Sequence, residues 1–150
     1  TDVPAVTRFW QEYWSLAQKK HKSLNMPWPE KQGWKNTWVD FYPPLLDKGI
    51  RLIHKMSHGY VDLQFSKQAA QAESFPSLVH PLLRKGMSLE LRGSSFAVSI
   101  AVPKLDIYKD VADQAQSVQE ALRAAARLAK WYVNHRSVLK KTDVSRYSAQ

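Results

Sequence analysis

Apolar residues recur along the first twenty positions at three- and four-residue steps: Val6, Phe9, Trp10, Tyr13, Leu16 and Ala17. At about 100° of turn per residue this spacing lines one face of a helix, and it predicts a helix from Pro4 to Lys20. Pro4 suits the first turn, where its missing N–H would be unpaired anyway, and Lys19-Lys20-His21-Lys22 places cations at the negative end of the helix dipole. The period then disappears into an aromatic stretch, Met26-Pro27-Trp28-Pro29 through Trp34, Trp38, Phe41, Tyr42 and Pro43-Pro44, whose prolines argue for a loop.

Two segments alternate with period two and read as hairpins. The first runs Ile50 to Met56 and Tyr60 to Phe65 around Ser57-His58-Gly59, placing Val61, Leu63 and Phe65 on one face and Tyr60, Asp62 and Gln64 on the other. In the second, Met87, Leu89 and Leu91 alternate with Ser88, Glu90 and Arg92, Gly93-Ser94 turns the chain, and Phe96, Val98, Ile100 and Val102 alternate with small residues. Lys67 to Glu73 and Ser77 to Lys85 between them read as helical pieces broken near Pro76 and closed by Gly86. The longest element comes last: Val111, Ala115, Val118, Leu122, Ala125, Ala129 and Val133 form one apolar stripe over residues 111–135. Residues 1–150 therefore read as a single α+β domain. An antiparallel sheet of about four strands, in two hairpins, carries a long C-terminal amphipathic helix and an N-terminal helix packed on it.

Composition narrows the chemistry. The 150 residues include no cysteine, which excludes disulfides, thiolate nucleophiles and Cys-ligated zinc. No apolar run approaches the roughly 18 residues of a membrane helix, so no membrane partner is expected and the location is read as cytoplasmic. The start, Thr1-Asp2-Val3-Pro4, has neither methionine nor a leader pattern, and we read the chain as a fragment of a longer protein. The net charge of +9 is uneven: +4 over residues 1–60, −1 over 61–120 and +6 over 121–150. A Lys/Arg cluster of this kind raises the local concentration of anions, although it equally serves solubility.

The run Gly93-Ser94-Ser95-Phe96-Ala97-Val98-Ser99-Ile100-Ala101-Val102-Pro103 is followed by Asp106, Gln114, Val118, Ala121-Leu122 and Ala124-Ala125-Ala126-Arg127-Leu128. This stretch resembles the C-terminal part of uncharacterised bacterial PD-(D/E)XK nuclease-like proteins, and the opening Phe9-Trp10 with a later hairpin and helix is similar to accessory domains beside such nucleases. The resemblance is carried by a hairpin turn and an alanine-rich helix. It implies a bacterial setting related to nucleic acid, with defence among the roles, and an upstream nuclease domain as partner; it supplies no catalytic residue.

Nuclease chemistry of that type needs an Asp and a Glu-x-Lys on neighbouring strands, where carboxylates hold Mg²⁺ and the lysine orients or activates water. Asp62 with Glu90-Leu91-Arg92 is the candidate set. Arg92 stands where lysine is wanted, and a guanidinium keeps its proton, so we expect no catalysis and no cofactor, with Mg²⁺ and a degenerate nuclease as the alternative. His54 and His58 flank a turn near Asp62 and form a metal or acid/base candidate, against the plainer reading of turn histidines. His80 and His135 read as loop-proximal and dipole-stabilised. Neither a nucleophile elbow nor a phosphate-cradling glycine loop is present.

Three surface features remain. Arg123, Arg127 and Lys130 lie at steps of four and three on the polar side of the last helix, and Arg136, Lys140 and Lys141 follow; together they are the candidate contacts to DNA or RNA phosphates. Trp28, Trp34 and Trp38, interleaved with Lys31 and Lys35, could stack bases, although aromatics in such a loop more often cover a sheet. Trp131 falls off the apolar stripe and reads as an interface for a homo-oligomer or a ligand contact. The function expected is a non-catalytic nucleic-acid-binding or accessory/oligomerisation domain.

Overall fold

The computed structural model describes residues 5–26, 38–66 and 75–139. Its elements are α1 (Ala5–Lys20), β1 (Trp38–Phe41), β2 (Ile50–Lys55), β3 (Tyr60–Phe65), α2 (Phe75–Val79), β4 (Met87–Arg92), β5 (Ser95–Ala101) and α3 (Ala115–Leu139), with a 3₁₀ turn over Val111–Gln114 leading into α3. The fold is α+β. The two expected hairpins form as β2–β3 and β4–β5, and β3 pairs with β5, so all strands join one antiparallel sheet in the order β1-β2-β3-β5-β4.

The sheet has five strands rather than about four. Trp38-Val39-Asp40-Phe41, inside the stretch read as loop, adds to β2 with Val39 opposite His54 and Asp40 opposite Ile53. Four residues give almost no periodic signal. What makes them a strand is the open edge of β2, whose unpaired N–H and C=O groups they satisfy. The helical piece expected over Lys67 to Glu73, together with Trp28 and Trp34, lies outside the described residues. The piece expected from Ser77 begins earlier, as α2, and tightens into a 3₁₀ turn over His80–Leu82.

One face of the sheet is the core. Leu52, Val61, Leu63, Phe65 and Val98 are buried on it, and α3 packs there through Val118, Leu122, Ala125 and Leu128. Alanines at 121, 124, 125 and 129 let the helix backbone approach the sheet closely, and Tyr132 meets Phe65 with ring centroids 6.2 Å apart. Helix α1 reaches the same face: Phe9, Trp10, Tyr13 and Ala17 are buried, and the Tyr13 hydroxyl shares a 2.8 Å hydrogen bond with His54 Nδ1.

The stripe on α3 bends away from its expected path. Val133 is 42% exposed, whereas Trp131 is only 4% exposed. Fifteen residues separate Val118 from Val133, which at about 100° each leaves Val133 about 60° round the helix from where the stripe began. The 80–85 segment covers the other flank of the helix, so Trp131 is enclosed and donates its indole N–H to the Leu82 carbonyl at 2.8 Å. Trp131 is therefore packed inside the domain and not held out as an oligomer interface.

The opposite face of the sheet is polar, and the tip of the β4–β5 hairpin curls over it. By register Arg92 lies opposite Ser95, level with the end of β3, while Asp62 lies opposite Ser99. In a flat sheet four residues along the strand would set them about 13 Å apart, besides two strand spacings, farther than an arginine side chain reaches. Arg92 Nε nonetheless bonds Asp62 Oδ2 at 2.9 Å, and its guanidinium carbon lies 4.0 Å from the Tyr60 ring centroid. The hairpin is bent far enough to roof the face.

Candidate nucleic-acid interface

Along α3, Arg123, Arg127, Lys130 and Asn134 are all exposed and follow one another at steps of 4, 3 and 4, which is one line on a helix. Glu120 stands at the N-terminal end of this line. Toward its C-terminal end the line borders a groove of about 270 Å³ between α3 and the segment before β4, walled by Arg84, Arg127, Lys130, Asn134 and His135 over Met87 and Trp131. No carboxylate lines it. The guanidinium of Arg127 donates to the Lys85 carbonyl at 2.6 Å, which ties the helix to the loop and leaves its remaining N–H groups at the groove.

Arg123 extends the positive field toward the end of α1. The His21 imidazole is held below its ordinary pKa, first by partial burial and then by the charges of Arg123 and Lys20. Among the described residues, none of Arg84, Lys85, Arg123, Arg127 and Lys130 forms an ion pair. Converging cations without counter-charges repel one another, and an anion that settles among them relieves that repulsion.

Arg136 does not belong to this surface. It pairs with Asp47 at 3.3 Å and donates to the Leu45 carbonyl, while the Tyr132 hydroxyl donates to the same Asp47; the three contacts fasten α3 to the loop before β2. Burial, then that bond to Asp47, pushes the Tyr132 hydroxyl well above the ordinary phenol pKa. Lys140 and Lys141 lie outside the described residues. Of the residues expected to meet phosphate, the fold thus brings Arg123, Arg127 and Lys130 together and turns Arg136 to an internal task. It adds Arg84 and Lys85, which the sequence alone places in a different element with nothing to link them to α3.

The polar sheet face holds the carboxylates considered for catalysis. Asp62 is fully buried beneath the hairpin tip, its Oδ2 bonded by Arg92 and by Gln64 Nε2 at 3.3 Å, and its Oδ1 has no hydrogen-bond partner. Glu90 is half-buried and accepts from the Ser88 hydroxyl at 3.0 Å. Asp62 and Arg92 are thus joined, with β5 standing between their strands. The network continues through Arg51, which donates to Asp40 at 2.9 Å and to Gln64 Oε1 at 3.0 Å.

His54 and Asp62 do not converge. Strand alternation points His54 into the core and Asp62 to the polar face, and His58 sits exposed in the turn beside Ser57. That turn needs Gly59, whose φ of +75° and position against the Val102 carbonyl, 2.8 Å from where a Cβ would stand, exclude a larger residue. Among the described residues no group of three or more His, Asp or Glu is placed to hold a metal ion. No described helix is long and apolar enough to cross a membrane. Compared with protein-family models, curated proteins and solved structures, the chain finds no match.

Proposed function

We propose that this domain binds nucleic acid through the cationic line and groove of α3, as a non-catalytic accessory module. The observation that carries the reading is the groove walled by Arg84, Arg127 and Lys130, cations from two elements that meet with no carboxylate among them. The contacts assigned to these cations are to phosphates, so binding should be insensitive to sequence and steeply dependent on salt. The bacterial nuclease setting follows from the resemblance of residues 93–128 and fits a module that holds nucleic acid for a neighbouring domain. Asp62, already neutralised by Arg92, favours binding over hydrolysis.

The test is a titration of a 20-base-pair duplex at several salt concentrations. Affinity should fall linearly on a log–log plot, and each phosphate contact removed should reduce the slope by about 0.9. Arg123→Glu with Arg127→Glu should lower affinity at least tenfold; both residues are exposed, and loss of the Arg127 bond to the Lys85 carbonyl should lower stability by no more than about 1 kcal/mol. Absence of binding to duplex, single-stranded DNA and RNA at low salt would overturn the reading, as would Mg²⁺-dependent cleavage abolished by Asp62→Asn.

A further inference from the structure

The hairpin that roofs the polar sheet face leaves a cleft of about 510 Å³ between its tip and strands β1 to β3. Trp38, Lys55 and Tyr60 stand in one row across that face, because Trp38 is opposite Lys55 and Lys55 is opposite Tyr60. Trp38 is 38% exposed at the rim although it is a large aromatic on a sheet. Two strand spacings, about 10 Å, separate its backbone from that of Tyr60, enough to admit a planar ring between the two side chains.

The second plane is built in advance. Arg92 sits over the Tyr60 ring, its guanidinium carbon 4.0 Å from the centroid, and is held there by its bond to the buried Asp62 and by a 3.4 Å contact to Ser99 Oγ. A guanidinium fixed over a phenol ring makes with it a pre-formed surface for stacking, with little ordering left to do when a ligand arrives. Of the three cations lining the cleft, Arg51 and Arg92 are bound to Asp40 and Asp62, whereas Lys55 has no carboxylate partner among the described residues. One free positive charge between two stacking planes matches one base with one phosphate.

We propose that this cleft holds an unpaired nucleotide of a single-stranded nucleic acid, with the base between Trp38 and the Tyr60–Arg92 stack and the phosphate on Lys55. A base paired within a duplex has no exposed face to offer and does not enter. A free nucleoside monophosphate has the same chemistry, but the exposed rim at Trp38 and at Leu91, 64% exposed, leaves room for a strand to pass on either side. The site extends the nucleic-acid reading without using any residue of the α3 line, so each can fail while the other stands.

The experiment uses the whole chain carrying Arg123→Glu and Arg127→Glu, which silences the helix surface, and measures the anisotropy of a labelled eight-nucleotide oligo-dT. Binding is expected to persist, to weaken roughly tenfold or more with Trp38→Ala, and to return to within about threefold with Trp38→Phe. Lys55→Ala should weaken it and flatten its salt dependence. Neither substitution touches the core, and the circular dichroism of each variant should match that of the parent. An eight-base-pair duplex should bind this background poorly and show no change with Trp38→Ala. The proposal is overturned if oligo-dT affinity is the same in Trp38→Ala and Lys55→Ala as in the parent, if the duplex binds as well as the single strand, or if free thymidine monophosphate competes at the same concentration as the oligonucleotide.

Discussion

Acidification should destabilise this protein through a single core residue. His54 is fully buried between α1 and the sheet, its Nδ1 engaged by the Tyr13 hydroxyl and its Nε2 without a partner among the described residues. Burial alone pushes its pKa down from 6.5 to about 3, since a protonated ring would carry a charge and a second N–H into a site that solvates neither. The unfolded chain takes up a proton near pH 6.5 and the folded chain does not until about pH 3. The stabilisation by neutral His54 is therefore fully present above pH 6.5 and is lost progressively as the pH falls toward 3. At about 1.4 kcal/mol per pH unit, His54 removes about 2.5 kcal/mol between pH 7 and pH 4.5, or about 5–10 °C of melting temperature for a domain of this size. Carboxylates titrate in the same window, so the measurement is a difference. Urea unfolding at half-unit pH steps is compared with that of a His54→Leu/Tyr13→Phe double variant, in which both hydrogen-bonding partners are replaced by apolar groups of similar shape and stability at pH 7 changes little. The variant's curve should be flatter by about 2.5 kcal/mol over that range. Parallel curves would refute the assignment of a neutral, buried imidazole.

Two further perturbations probe the packing. Arg92→Ala leaves Asp62 as an unpaired carboxylate under the hairpin tip and should cost about 3 kcal/mol in chemical denaturation, the lower end of what breaking a buried pair costs because Arg92 is itself partly exposed. Adding Asp62→Asn should recover part of it, and an unchanged midpoint in Arg92→Ala would show that the ion pair does not hold the hairpin down. Leu122→Ala removes a fully buried side chain from the contact of α3 with the sheet and should destabilise by about 2–5 kcal/mol, whereas Val133→Ala on the exposed side should stay within about 0.5 kcal/mol. Equal effects from the two would contradict the burial pattern of α3.

Periodicity in the sequence determined the fold class, both hairpins, α1 and α3, because period-two and period-3.6 patterns are local and each repeats long enough to be read. The line Arg123, Arg127 and Lys130 was legible for the same reason: residues on one helix keep their spacing whatever the helix packs against. Strand β1 was not, since four residues become a strand only when an edge is offered to them. The alternation in β2 and β3 already separates His54 from Asp62, provided the two strands are in register, but nothing in it shows which polar side chains will be covered. Tertiary structure decided that. The bend of the β4–β5 hairpin brings Arg92 over Asp62 and Tyr60, and the 80–85 segment encloses Trp131 while placing Arg84 beside Arg127. Each is a contact between residues thirty or more positions apart, set by how layers close on one another and not by any spacing along the chain.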